Sequence, residues 1–472
     1  MKKIKKKRIA ALLGLAYLLI SGVLVFIRPK KVSDEYMKKS SLDRFQADSE
    51  GPDRVIILDQ PDLSGMARLK LIKDAQETLN ISYFSIETGE SPDLFFAALL
   101  EAADRGVQVN ILLDGIFHGI KKDLKPILYA SKLHPNMTIK FYERLNPLLP
   151  WTLNNRMHDK YIIADSKYAM IGGRNIGDKY FDPVWYEDRV TLDRDVLIVS
   201  TREDSVIEEM EAYFKEIWNH KFSKESKRNV FLIRKKRAFA KYLEVREKLE
   251  LLREHNQELL ELELDLEEIS LPTEKITFIH NPLERFSKEP WVWYELSQLI
   301  KSAENKIFFQ SPYTIPTKGM IKNFFTPDDL EGVEVTLLTN SMASSPNYPA
   351  FAGYLNHREE MVDAGIKIYE YQSLNSLHTK AFVIDDDYMA LGSFNGDPRS
   401  TYLSTESMVV IKGEEAVRAL SQGLEDYMKS SLQVAEDYSY KGGQAGALEA
   451  PKEKRALLKA LSWLVRYFEY LL

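Results

Sequence analysis

Residues 158–175 (HDKYIIADSKYAMIGGRN) recur, with five positions at identical spacing, as residues 378–395 (HTKAFVIDDDYMALGSFN). In each copy a Lys stands two places after the His (Lys160, Lys380) and an Asp seven places after it (Asp165, Asp385). A Gly follows at fourteen (Gly172, Gly392) and an Asn at seventeen (Asn175, Asn395). A chain that carries this pattern twice, 220 residues apart, is constrained to fold as two related halves.

The spacing has a structural cause. His and Lys two residues apart point to the same side of a strand. The apolar runs after each Lys, 161–164 and 381–384, read as buried strands. A polar turn comes next, at 165–167 and 385–387, and a second apolar strand ends in Gly-Gly or Gly-Ser. The glycine end permits close backbone approach. Each copy is therefore expected to be a hairpin that brings His, Lys and Asn to one edge.

Two such edges face to face would provide two imidazoles, two ammonium groups and two amides. That set suits a phosphodiester. Lys160, Lys380, Asn175 and Asn395 would hold the anion, while one of His158 and His378 attacks phosphorus and the other protonates the departing oxygen. Asp165 and Asp385 lie at the far end of the strand from each His and are expected to fix the turn. Arg174 and Arg399 are expected to brace loops. The Asp and His spacing matches no standard zinc pattern, so neither a metal nor a cofactor is expected.

Around the motifs the chain alternates strand and helix. In the first half, strands are expected at 54–59, 80–86, 107–115 and 137–143, with helices at 66–79 and 92–104. The second half repeats the order: helix 289–305, strands 306–313 and 333–341, helix 348–364 and strand 366–372. RGVQVNILLDG and EGVEVTLLTNS are counterparts, and each precedes a motif. The expected fold class is α/β, with two pseudo-twofold-related halves and the active site at their interface.

The string H-x-K-x4-D-x6-G-x2-N, present twice, resembles the phospholipase D superfamily. Residues 172–181 (GGRNIGDKYF) and 392–406 (GSFNGDPRSTYLSTE) are similar to bacterial cardiolipin synthases. So are 102–115 (AADRGVQVNILLDG), 311–316 (SPYTIP) and 353–371 (GYLNHREEMVDAGIKIYEY). The resemblance covers residues 50–222 and 273–412. It implies metal-independent chemistry, a largely structural role for Asp165 and Asp385, and a later carboxylate that orients each His. Glu406 fits that part in the second half, within TESMVVI. Asp193 fits it in the first, within LDRDVLI, with Asp195 and Glu187 as rivals. Such a carboxylate would hold Nδ1–H and leave Nε2 as nucleophile or base.

The implied activity is phosphatidyl transfer through a phosphohistidine, with His158 expected as the nucleophile and phosphatidylglycerol as the substrate. Water as acceptor would make the enzyme a phospholipase D-type hydrolase instead. A nuclease of the same superfamily is disfavoured by charge. Residues 1–40 carry eleven Lys/Arg against two Asp/Glu, net +9, so the remainder holds −15 of an overall −6. An acidic body is a poor partner for nucleic acid. Cysteine is absent, which excludes disulfides and thiol catalysis.

Six basic residues in 2–8 precede nineteen uncharged ones, 9–27. At about 1.5 Å per residue that run spans roughly a bilayer core. The run is long for the apolar core of a signal peptide and no A-x-A-like site precedes Arg28, so the segment is expected to be an uncleaved anchor. The denser charge before it favours a cytoplasmic N-terminus and an extracytoplasmic body in a bacterial cell membrane.

The expected organisation is an anchor at 1–31, a linker at 32–52, a first half at 53–222 and a charged helical insertion at 223–272. A second half at 273–435 and a link with an amphipathic helix at 436–472 complete it. The insertion begins basic (Lys224, Lys227, Arg228, Arg234, Lys235, Lys236, Arg237, Lys241) and ends acidic with recurring Leu (Leu259, Leu260, Leu262, Leu264, Leu266). It is expected to be either a solvated helix or a patch for anionic headgroups. In the last segment Leu457, Leu461, Leu464, Phe468 and Leu472 share a helical face, and Trp463, Tyr467 and Tyr470 suit a membrane interface.

Overall fold

Strand for strand, two mixed sheets carry the duplication. The computed structural model describes residues 2–182, 186–226, 230–255, 265–326, 328–443 and 446–472. The first sheet contains β1 (Asp53–Leu58), β2 (Thr78–Tyr83), β3 (Gln108–Asp114), β4 (Met137–Tyr142), β5 (Tyr161–Ala164) and β6 (Tyr168–Gly172). Thr191–Leu192 is β7, outside this sheet. β8 (Asp195–Ser200), β9 (Ser223–Glu225) and β10 (Leu271–Pro272) complete the first sheet. Its spatial order is β10-β1-β8-β6-β5-β2-β3-β4-β9.

The second sheet is built from β11 (Lys275–His280), β12 (Lys306–Gln310), β13 (Glu334–Asn340), β14 (Lys367–Tyr371), β16 (Ala381–Ile384), β17 (Tyr388–Gly392), β18 (Ser407–Lys412) and β19 (Ser431–Gln433), with β15 (Ser376–Leu377) outside it. The order is β11-β18-β17-β16-β12-β13-β14-β19, the first sheet without its extra edge strand. In both, the first crossover strands pair in parallel and the motif hairpin pairs antiparallel.

The motif strands read as continuous apolar runs because both their faces are buried. On β5, Ile162 and Ala164 face the outer core of the first half, while Tyr161 and Ile163 face the core between the sheets. On β16, Phe382 and Ile384 face outward and Ala381 and Val383 inward. The inner residues of both hairpins share one cluster with the helices Val206–Asn219 and Glu414–Lys429. The architecture is thus α/β, with two related halves closed on a common core.

The helix expected at 66–79 runs Pro61–Asp74 instead, because Pro61 suits a first helical turn and the chain must straighten before β2. Residues 32–52 do not behave as a free linker. Tyr36 stacks on Trp291 at 4.2 Å, Phe45 is buried, and Arg44 pairs with the buried Glu295 at 2.6 Å.

In the insertion, Leu232–His255 is a helix that lies on the outer helices of the first half. Lys241 is not part of an exposed basic patch, since it is buried and pairs with Asp93 at 2.7 Å. Lys227, Arg228, Leu259, Leu260, Leu262 and Leu264 lie outside the described residues.

The C-terminal helix Lys452–Val465 packs on the helix Tyr348–Asp363. The expected stripe is rotated by one residue. Leu458 and Val465 are buried, Leu461 and Leu472 pack beside them, and Leu457, Leu464 and Phe468 face outward with Trp463 and Tyr467.

Candidate active site

The two halves meet through matched backbone contacts that end at the histidines. Leu377 of β15 pairs in parallel with Leu192 of β7, and the His378 N–H donates to the Leu192 carbonyl at 2.7 Å. In the counterpart contact Met157 pairs with Thr405, and the His158 N–H donates to the Thr405 carbonyl at 3.2 Å. In each case the next residue along the contacted strand is a carboxylate: Asp193 after Leu192 and Glu406 after Thr405.

The consequence is a crossed pairing. His158 Nδ1 lies 2.9 Å from Glu406 Oε2, and His378 Nδ1 lies 2.6 Å from Asp193 Oδ2. The sequence pattern places one carboxylate in each half, but each serves the histidine of the other half. The rivals go elsewhere. Asp195 is buried against Arg68 and Arg174 and accepts from Ser64, and Glu187 is exposed.

With Nδ1 held by a carboxylate, each Nε2 is the free ring nitrogen. The His158 and His378 side chains keep 16% and 25% of their surface exposed, whereas both carboxylates, Lys160 and Lys380 are buried. Lys160 Nζ donates to the His158 carbonyl at 2.5 Å. Lys380 Nζ donates to the His378 carbonyl and lies 2.9 Å from His378 Nδ1. Each Lys Nζ is therefore tied to the backbone carbonyl of its own His.

Asn175 and Asn395 are buried at the ends of the hairpins. Asn175 Oδ1 accepts from the Ser85 N–H at 3.2 Å, and its Nδ2 donates to the Tyr180 hydroxyl at 3.1 Å, which leaves one amide hydrogen for a ligand.

Asp165 and Asp385 do not reach this cluster. Asp165 accepts the N–H groups of Gln76, Glu77 and Thr78, and Asp385 those of Glu304, Asn305 and Lys306. Both have left-handed φ, +53° and +50°, so each ties the hairpin turn to the start of the neighbouring strand. Arg174 anchors the end of β1 through the Leu58 and Asp59 carbonyls. Arg399 holds Asn154 and the Leu471 carbonyl.

Burial dominates the electrostatics. It lowers the His158 imidazole well below its ordinary value and His378 to about 3, and Lys380 adds to both shifts. Burial also draws Lys160 down to about 7 and Lys380 to about 8. The carboxylates part company. Burial raises Glu406 to about 8, while at Asp193 the same burial is outweighed by Lys380 and His378, which hold it below the usual range.

A small difference between the motifs accompanies this. Ser393 Oγ donates to Glu406 Oε2 at 2.5 Å. The matching residue Gly173 leaves room for Asp193, whose Oδ1 would lie 2.4 Å from an added Cβ.

Several site residues have no signature in the duplicated pattern. Phe84 packs edge-on against His158 at 4.9 Å, and Tyr180 against His378 at 5.8 Å. Asp159, between His and Lys, accepts from Thr405 Oγ1 at 2.6 Å and from the Tyr213 hydroxyl at 3.2 Å. It thereby steadies the residue before Glu406. Among the described residues no group of three or more His, Asp or Glu is arranged to hold a metal ion.

The family model described as "Cardiolipin synthase, PLD-like domain" matches residues 69–218 and 296–428, one stretch in each half. The chain belongs to that family. It is a phospholipase D-family phosphatidyltransferase of phospholipids. Cardiolipin synthase C of Escherichia coli K12 is 28% identical over 399 residues, covering 75% of this chain and 80% of that protein. Cardiolipin synthase 1 of Staphylococcus aureus MRSA252 is 24% identical over 379 residues, covering 78% of this chain and 66% of that protein. The crystal structure of the phosphatidylserine synthase of Haemophilus influenzae Rd KW20 shares the fold. Its TM-score is 0.65 at 12% identity, over 93% of this chain and 99% of that one.

Proposed function

We propose that this enzyme joins two phosphatidylglycerol molecules into cardiolipin and glycerol, with His158 as nucleophile. The observation that carries the reading is the crossed pair of histidine–carboxylate contacts beside two buried lysines. Lys160 and Lys380, with Asn175 and Asn395, hold the phosphoryl oxygens of the donor. His158 Nε2 attacks phosphorus, the bond to the glycerol headgroup oxygen breaks, and His378 Nε2–H protonates that oxygen. His378 Nε2 then takes the proton of the second lipid's glycerol hydroxyl. That oxygen attacks phosphorus and breaks the N–P bond.

The unequal carboxylates support these roles. Asp193, held below the usual range, favours an imidazolium at His378, the proton donor, while Glu406, raised by burial, gives less support to positive charge and keeps His158 an uncharged nucleophile. Burial disfavours the charged form of both imidazoles. The bound phosphodiester anion offsets the two lysines and raises His378 toward protonation.

The same reading places the enzyme in the membrane. One helical segment, Lys7–Phe26, has the length and composition to cross a bilayer, and it is largely unburied, unlike a core helix. The basic residues before it favour a cytoplasmic N-terminus and an extracytoplasmic body.

The test is product analysis with the full-length enzyme in phosphatidylglycerol vesicles. Cardiolipin and glycerol are expected in equal amounts, a trapped phosphatidyl-enzyme is expected to disappear in His158→Ala, and turnover is expected to vanish in both His→Ala variants. Release of phosphatidic acid alone would replace this reading with the hydrolase.

A further inference from the structure

The two halves differ in how the chain approaches each histidine. From the end of β14 to His378 it takes seven residues, and from the end of β4 to His158 it takes sixteen. The nine additional residues correspond to 145–153, LNPLLPWTL, a segment without charge. On a surface facing water its leucines should fold inward. Instead Leu145, Leu148 and Leu153 are 51%, 78% and 47% exposed.

The segment is not slack. Asn146 Oδ1 accepts from the Leu148 N–H, Thr152 Oγ1 bridges the Asn146 N–H and the Leu149 carbonyl, and Pro150–Leu153 forms a turn of 3₁₀ helix. The apolar tip is held open.

Its position is set by the N-terminal helix. Asn154 Nδ2 donates to the Gly22 carbonyl at 2.9 Å, and Pro150 Cβ lies 3.2 Å from where a Gly22 Cβ would stand. Farther along, the Tyr17 hydroxyl donates to the Leu148 carbonyl at 2.7 Å. Tyr17 and Gly22 are five residues apart on one helix, so the loop follows the span for about 7.5 Å. The exposed leucines of the loop stand beside a helix that is itself apolar and exposed, where Leu13 and Leu18 are uncovered.

We infer that residues 145–153 are a wedge that enters the bilayer beside the anchor and sets His158 at headgroup depth. The inference rests on the membrane-anchored reading above. Its occupant is the outer acyl region of a phospholipid bilayer. Basic residues flank both insertions, Arg144 before the loop and Arg28 and Lys31 after the span, where anionic headgroups would lie. Depth passes from the tip to the site through a short, fixed path. Asn155 is held by Glu143, Arg156 by Asp114 and the Glu143 carbonyl, and His158 follows two residues later. The second motif lacks such a wedge, which makes the site one-sided toward the lipid. The nucleophile of a membrane-embedded donor would stand on that side.

The absence of cysteine permits a direct test with the full chain. Leu148→Cys, Leu13→Cys and Lys429→Cys would each carry one environment-sensitive fluorophore, in phosphatidylglycerol/phosphatidylcholine vesicles with nitroxide-labelled acyl chains. Quenching is expected at 148 and at 13 and not at 429. Quenching at 13 without 148 would overturn the wedge and leave the anchor standing. No quenching at 13 would remove the anchor and the wedge with it. Shielding at 148 that needs no lipid and grows with protein concentration would also overturn the wedge, and would give this face to a second copy of the chain.

In parallel, Leu148→Asp should slow turnover of vesicle phosphatidylglycerol roughly tenfold, the scale of one lost leucine burial. Hydrolysis of water-soluble bis(4-nitrophenyl) phosphate should be unchanged in the same variant. Equal loss on both substrates would show a merely structural loop and overturn the inference.

Discussion

At the scale of single residues, the decisive feature is that the site's cations are stored in burial. Lys160 and Lys380 are drawn down to about 7 and about 8 because an ammonium group loses its hydration there. In the free enzyme, raising pH through this range removes charge from the proposed phosphodiester site. Since kcat/KM reports the free enzyme, it should fall on an alkaline limb between about pH 7 and 8.5. The lysines' contribution to stability runs the other way. Their folded values lie below the unfolded 10.5, so between the two the unfolded chain binds more protons and stability rises with pH. A pH profile of kcat/KM beside thermal melts checks both signs. A profile flat to pH 9.5 would mean that the ammonium groups do not hold the anion. These two lysines were legible from their spacing to the histidines. Phe84, Tyr180 and Ser393 were not, because their roles depend on contacts with rings and carboxylates far along the chain.

At the scale of elements, each motif hairpin depends on its aspartate as a hinge pin. Asp385 accepts three backbone N–H groups at 2.9 Å each, and these outweigh the effect of burial to hold its carboxyl below 3.8. A depressed folded value means that its stabilisation is complete above the unfolded pKa and is lost as pH falls through the folded one. Asp385→Asn tolerates the same left-handed φ, removes the charge and replaces one of the two accepting oxygens with an NH2 group. It should cost about 1.5–3 kcal/mol at neutral pH, with the difference from wild type shrinking below about pH 4, and leave the turnover of folded enzyme intact. Melting curves at pH 7 and pH 3.5, with kcat at pH 7, decide it. Hairpins of this kind were readable because apolar runs, turn and glycine recur in register. The C-terminal helix was less readable. Leu457 and Leu464 differ from Leu458 and Val465 by one residue, about 100° of helix. Both stripes are apolar, and only the helix Tyr348–Asp363 decides which is covered.

At the scale of the whole molecule, neither half holds a complete histidine. The duplicated motif announced two halves and an interface. It could not disclose that the β7–β15 contact and the Met157–Thr405 bridge deliver each carboxylate across that interface. The crossing has a kinetic signature. A phosphatidyl ester of 4-nitrophenol has a leaving group that departs without a proton, so in the proposed mechanism the first step needs only His158 as nucleophile and its partner Glu406. The second step needs His378 as base and hence Asp193. Asp193→Asn should therefore form the phosphatidyl-enzyme at near-normal rate and release it slowly, so that the intermediate accumulates after a burst of nitrophenolate. Glu406→Gln should slow the burst itself, by about 10²–10⁴-fold, and accumulate nothing. If each carboxylate served its own half, the two variants would exchange phenotypes. Rapid-quench measurement of the burst and of bound lipid distinguishes the two wirings, and it does so without relying on which acceptor the enzyme prefers.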